Sequence, residues 1–97
     1  MSEEPTNATI RVLIEGRVQG VWYRAWTVEQ ATLRGLRGWV RNRTDGSVEA
    51  LLTGPVQVVA DMIEACYVGP PAAVVARVRQ EPAEDDGEPG FRHLPGA

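Results

Sequence analysis

Apolar and polar residues alternate at Ile10, Val12 and Ile14, and again at Val48, Ala50 and Leu52, the period of two that gives a strand one buried face. These runs predict strands over Thr9 to Glu15 and Ser47 to Leu52. Between them Val21 to Arg34 carries neither Gly nor Pro and predicts a helix. One of its stripes holds Tyr23, Trp26 or Thr27, Gln30 or Ala31, and Arg34, and another holds Trp22, Ala25 and Glu29, so the pattern alone leaves its buried side open. A second helix is clearer: Val56, Val59, Ile63 and Cys66 recur at helical spacing, Pro55 suits a first helical position, and Gly69-Pro70-Pro71 stops it. The fourth strand is expected over Ala73 to Arg79, an acidic loop over Glu84 to Gly90, and an edge strand over Phe91 to Leu94. The order strand, helix, strand, strand, helix, strand is the split βαβ plan of an α+β fold, with one layer of helices on an antiparallel sheet and a short extra C-terminal strand.

Ninety-seven residues with 43% hydrophobic content suit one compact domain, expected over residues 9–97 behind a flexible polar tail, MSEEPTNA, at residues 1–8. No apolar run reaches membrane-spanning length and no signal-peptide pattern opens the chain. Cys66 stands alone, which excludes an internal disulfide and a cysteine metal site and makes the cytoplasm the simplest setting. All ten basic residues are Arg, a usage attributed to coding bias and not to function. Their placement is more telling than the net charge of −3: seven Arg face two acids between Thr9 and Arg43, whereas five acids face one Arg from Glu81 onward. A basic half of this kind draws in a small dianion. Taken one by one, Arg11, Arg34, Arg37, Arg41 and Arg43 are expected on solvated surfaces, as are His93 and the run Glu84-Asp85-Asp86. Nucleic-acid binding is weakly signalled, because Trp39 is a stacking candidate without a companion and no basic helix is present.

The stretch Gly16 to Arg24 reads GRVQGVWYR. Two glycines four apart allow a tight loop whose amides point at one centre, and that loop feeds a helix start, where unpaired N–H groups and the positive end of the dipole favour an anion. Arg24 falls in the first helical turn, where a cation is out of place unless an anion is near. Downstream, Gly38 to Glu49 reads GWVRNRTDGSVE, with Val40 and Asn42 on one strand face, Trp39, Arg41 and Arg43 on the other, and Asp45-Gly46 marking a turn. Asn42, at a strand end beside apolar Val40, carries a donor and an acceptor that need partners.

Together, VQGV-x-[aromatic]-R and GWVRN-x-x-DG at this spacing resemble the acylphosphatases, small enzymes that hydrolyse carboxyl–phosphate mixed anhydrides. The resemblance runs from about Ile10 to about Phe91 and is supported by Gly54-Pro55, Gly69-Pro70-Pro71 and Gly90-Phe91. It departs mildly where Tyr23 stands in place of the commoner Phe and where Trp22 fills a variable position beside the loop, as a wall of the substrate cleft. It implies a ferredoxin-like sandwich. It also implies that Arg24 and the amides of Gly16, Arg17, Val18, Gln19, Gly20 and Val21 hold the phosphoryl oxygens, that Asn42 orients the attacking water, and that the substrate's phosphate takes the water proton.

The chemistry fits a chain with no Ser-His-Asp set and no carboxylates spaced for a metal. The leaving group of an acyl phosphate is a carboxylate with a pKa of about 4, which departs without a general acid. Positioning and charge stabilisation then suffice. The expectation is a monomeric, metal-independent hydrolase that needs no cofactor, takes a small acyl phosphate, releases inorganic phosphate, and has neither nucleic-acid nor membrane partners. Because the chain ends at Ala97 without a linker, a free-standing enzyme is expected and not a domain of a larger carbamoyl-transfer enzyme. The alternative is a phosphate-binding or protein-interaction module of the same fold, since fold alone does not set function.

Overall fold

The computed structural model describes residues 6–96. Seven elements follow in order: β1 (Asn7–Arg17), α1 (Tyr23–Leu33), β2 (Arg37–Asn42), β3 (Val48–Pro55), α2 (Val56–Cys66), β4 (Val74–Pro82) and β5 (Phe91–His93). They form a five-stranded sheet in the order β4-β1-β3-β2-β5, antiparallel throughout except where β5 runs parallel to β2. Both helices pack on one face, α2 over β1 and β3 and α1 over β2 and β5. This is the expected ferredoxin-like α+β sandwich, with the added strand making the sheet mixed.

The alternating residues do what their period requires. Val12 and Ile14 from β1, Val40 from β2, and Val48, Ala50 and Leu52 from β3 are fully buried beneath the helices. On α1 the buried stripe is Tyr23, Thr27 and Ala31, which settles the side that periodicity left open. Thr27 enters the core because its hydroxyl donates to the Tyr23 carbonyl at 2.8 Å, so no polar group is stranded. On α2, Val59, Met62, Ile63 and Cys66 are buried, but Val56 at the first turn is exposed.

Element ends depart from the sequence expectation in physically simple ways. Residues 1–5 of the expected tail lie outside the described residues, while Asn7 and Ala8 already pair with Pro55 and Gly54, extending β1. The strand after α2 starts at Val74 and continues to Pro82, because it pairs along β1 as far as Ile10. Helix α1 begins at Tyr23 and not at Val21, since Trp22 has φ 69° and cannot continue a right-handed helix. A register shift between Glu15 and Gly16 bends the end of β1 toward the helices. Gly16 has φ +131°, and a Cβ there would lie 2.3 Å from the Val74 carbonyl oxygen, so only glycine fits.

Candidate functional site

The link from β1 to α1, Val18 to Trp22, is fixed at both ends and from one side. Val18 is buried in the core. The Gln19 side chain turns away toward the β2–β3 hairpin, where its Nε2 donates to the carbonyls of Arg43 at 2.8 Å and Ser47 at 2.9 Å. Gly20 has φ +73° with open space where a Cβ would stand, so its need for glycine is one of backbone conformation. Trp22 shares the left-handed region while 81% exposed, and its carbonyl accepts the first helical bond, from Trp26 N–H at 3.0 Å. No side chain caps α1 and no acid lies in its first turn. Its N-terminal N–H groups therefore face the loop without the usual side-chain acceptor or negative charge.

Arg24 is the second residue of this helix and makes no ion pair among the described residues. Its Nη1 lies 2.8 Å from His93 Nε2 on β5. Across from it Asn42 ends β2, and its Oδ1 is buried with no hydrogen-bond partner among the described residues. A buried acceptor without a donor is costly and marks a place where a donor is wanted. The cleft between these groups measures about 280 Å³ and is lined by Val18, Gly20, Trp22, Tyr23, Arg24, Ala25, Asn42 and His93.

Of the residues expected from sequence, Val18, Gly20, Arg24 and Asn42 thus line one cleft. Gly16 and Arg17 belong to the end of β1, paired with Val75 and Val74. Gln19 braces the loop, and Val21 packs against the core. His93, expected as an ordinary surface residue, is exposed but stands in the cleft. Proximity of positions 24 and 93 follows from the parallel pairing of β5 with β2, which no local signal in the sequence announces.

The charges outside the cleft are more tightly paired than their sequence suggests. Arg11 and Arg41 bond the carboxylate of Glu49, which is 2% exposed on the sheet face away from the helices. Burial would raise that carboxyl, but hydrogen bonds from Arg41 (2.7 Å) and Arg11 outweigh it and hold Glu49 below the usual carboxylate range. The acidic loop is not simply solvated: Asp85 bonds Arg37 and Asp86 bonds Arg92, and both carboxyls are lowered, Asp85 chiefly by Arg37 and Asp86 chiefly by the Glu88 N–H. Beneath the cleft Tyr23 is buried, and its hydroxyl donates to the Cys66 carbonyl at 2.5 Å. Burial raises the Tyr23 phenol strongly and pushes the Cys66 thiol up to about 11. Neither serves as an acid or base near neutrality.

No three His, Cys, Asp or Glu side chains gather among the described residues where they could hold a metal ion. No helix among them is long and apolar enough to cross a membrane. What the cleft offers is a cation that is not neutralised by a carboxylate, a helix N-terminus, and a lining residue, Asn42, whose buried side-chain oxygen has no partner among the described residues. That set suits a small dianion and a hydrogen-bond donor held against it.

Comparison with known proteins agrees with this chemistry. Residues 10–93 match the family model described as acylphosphatase. The chain is 54% identical over 87 residues to an acylphosphatase of Rhodospirillum rubrum, covering 90% of this chain and 96% of that one. Among solved structures it is similar to an acylphosphatase from Coxiella burnetii (TM-score 0.88, 31% identity, 92% of this chain and 94% of that one). It is likewise similar to the acylphosphatase from Bacillus subtilis (TM-score 0.85, 34% identity, 89% and 97%).

Proposed function

The chain belongs to the acylphosphatase family, an enzyme family whose reaction is the hydrolysis of acyl phosphates, and on that premise we propose that Arg24, the Gly16–Val21 loop and Asn42 carry it out. The guanidinium of Arg24 and the amides at the start of α1 hold the phosphoryl oxygens, offsetting the charge that the transition state spreads over them. Asn42 Oδ1 accepts a hydrogen bond from water and aims its oxygen at phosphorus. The P–O bond to water forms as the P–O bond to the acyl group breaks. The carboxylate leaves with its electron pair, and the water proton passes to a phosphoryl oxygen. No side-chain acid or base is needed, because the leaving group is already a weak base.

The observation that carries this reading is that Asn42, whose buried Oδ1 has no partner among the described residues, lines the same cleft as an arginine without an acidic partner. The enzyme acts, on this reading, as a metal-independent monomer in the cytoplasm. The lone thiol supports that setting.

The test is hydrolysis of an aromatic acyl phosphate in the presence of a chelator by the wild type, Arg24→Gln and Asn42→Ala. Arg24→Gln is expected to lose at least about a hundredfold in turnover together with inorganic phosphate inhibition. Asn42→Ala is expected to lose kcat by about a hundredfold while its phosphate affinity stays within about threefold. Equal losses in both quantities for Asn42→Ala would make it a binding residue, and full activity of Arg24→Gln would remove Arg24 from the site.

A further inference from the structure

Arg24 is held by a histidine, and a guanidinium can only donate. For the contact at 2.8 Å to be a hydrogen bond, His93 Nε2 is the acceptor. We propose that His93 is a positioning residue for Arg24, its ring nitrogen anchoring the guanidinium beside the loop so that the remaining N–H groups are held for a phosphoryl group. This rests on the reading of Arg24 as the phosphoryl ligand.

Three features make the contact more than a surface encounter. Strand β5 is fastened on both sides of the ring: Val40 pairs with His93 and accepts from Leu94 N–H at 2.9 Å, and Arg92 on the opposite face bonds Asp86. His93 therefore shares its face with Val40 and Asn42, which puts the ring in the cleft. A long arginine side chain at a helix start samples many rotamers, and one fixed acceptor leaves its remaining N–H groups free for an anion.

The groups around the ring leave Arg24 no competing partner among the described residues. From α1 the charged residue lining the cleft is Arg24; Glu29, the acid of that helix, does not line it. From β2 come Asn42 and Val40, while Arg37 and Arg41 are taken up by Asp85 and Glu49. The Tyr23 hydroxyl is turned to the Cys66 carbonyl. His93 is thus the acceptor that holds Arg24 in the cleft.

The experiment compares wild type, His93→Gln, His93→Ala and Arg24→Gln on an aromatic acyl phosphate, reading kcat, KM and the inhibition constant of inorganic phosphate at constant ionic strength. At one fixed pH, His93→Ala raises KM and the phosphate inhibition constant roughly fivefold, with kcat changed less. His93→Gln, whose amide oxygen replaces Nε2 as acceptor, recovers most of that loss. A His93→Ala enzyme equal to the wild type overturns the proposal, as does a His93→Gln enzyme no better than His93→Ala. Arg24→Gln separates the two ideas: if it is inactive while His93→Ala is normal, only the histidine's role fails, whereas an active Arg24→Gln overturns the site and this inference together.

Discussion

The side-chain amide of Gln19 donates to the backbone carbonyl of Arg43 at 2.8 Å, tying the loop before α1 to the residue that follows Asn42. A second bond to the Ser47 carbonyl spans the same hairpin. Ser47 is itself held by Asp45, whose Oδ1 accepts from its N–H at 3.0 Å and its hydroxyl at 2.5 Å. One side chain thus bridges the loop before α1 and the hairpin that follows Asn42.

Gln19→Ala should therefore lower kcat by about tenfold through misplacement of Asn42 relative to Arg24, with each side chain still present. It should also cost about 1–2 kcal/mol in urea unfolding, because two carbonyls lose a donor. Unchanged kcat would show that the hairpin keeps Asn42 in place unaided.

Trp22 occupies the left-handed region at φ 69°, where a bulky side chain is disfavoured by roughly 1–2 kcal/mol. It is 81% exposed, so replacement forfeits little burial. Trp22→Asn should stabilise the fold by about 0.5–1 kcal/mol, since Asn tolerates this conformation. Because the indole lines the cleft, the same change should raise KM for an aromatic acyl phosphate severalfold more than for a short aliphatic one. Loss of stability would indicate that the ring packs against more than the cleft.

Glu49 links stability to pH. Its carboxyl is held below its ordinary value, so its contribution is present above the unfolded-state pKa of about 4.3 and is lost as pH falls through the lowered folded-state value. Glu49→Gln should cost about 1–3 kcal/mol at neutral pH, with the partial exposure of Arg11 and Arg41 keeping the loss below that of a fully buried pair. It should also flatten the acid limb of the stability curve. A variant with wild-type stability at pH 7 would mean that the arginines stand as well without the carboxylate.

The two helices meet through a tyrosine. Tyr23→Phe removes the donor to the Cys66 carbonyl at the end of α2 and should cost about 1–2 kcal/mol. In the wild type, burial raises the Cys66 thiol to about 11, so at neutral pH it should resist a thiol reagent until the protein unfolds. Reaction of the native thiol at the rate of a free cysteine would contradict that burial.

What the chain discloses in advance is what repeats locally. Val12 and Ile14, or Val48, Ala50 and Leu52, give their strands away because each burial decision recurs every second residue. Asp45-Gly46 gives away its turn because the conformation needs those residue types. Helix α1 was ambiguous because Tyr23, Thr27 and Ala31 make a narrow, partly polar stripe, while Trp26 alongside is equally apolar. Glu49 could not be foreseen as buried, since nothing in SVEALL distinguishes it from a solvent-facing strand acid; its arginine partners lie eight and thirty-eight positions away. The motif residues Arg24 and Asn42 were legible through resemblance, and their roles remain for the variants to test. The bracing by Gln19 and the place of His93 depend on pairings that exist only in three dimensions.

The contact between Arg24 and His93 joins positions 69 apart, and β1 lies between β3 and β4 in the sheet. On a ribosome, Arg24 and Asn42 are made early and wait. The strand that completes one side of β1, and the ring that steadies the guanidinium, emerge only near the end of the described residues. A growing chain would carry Arg24 and Asn42 without the last of the residues that line the cleft until residue 93 is free to pair with Val40.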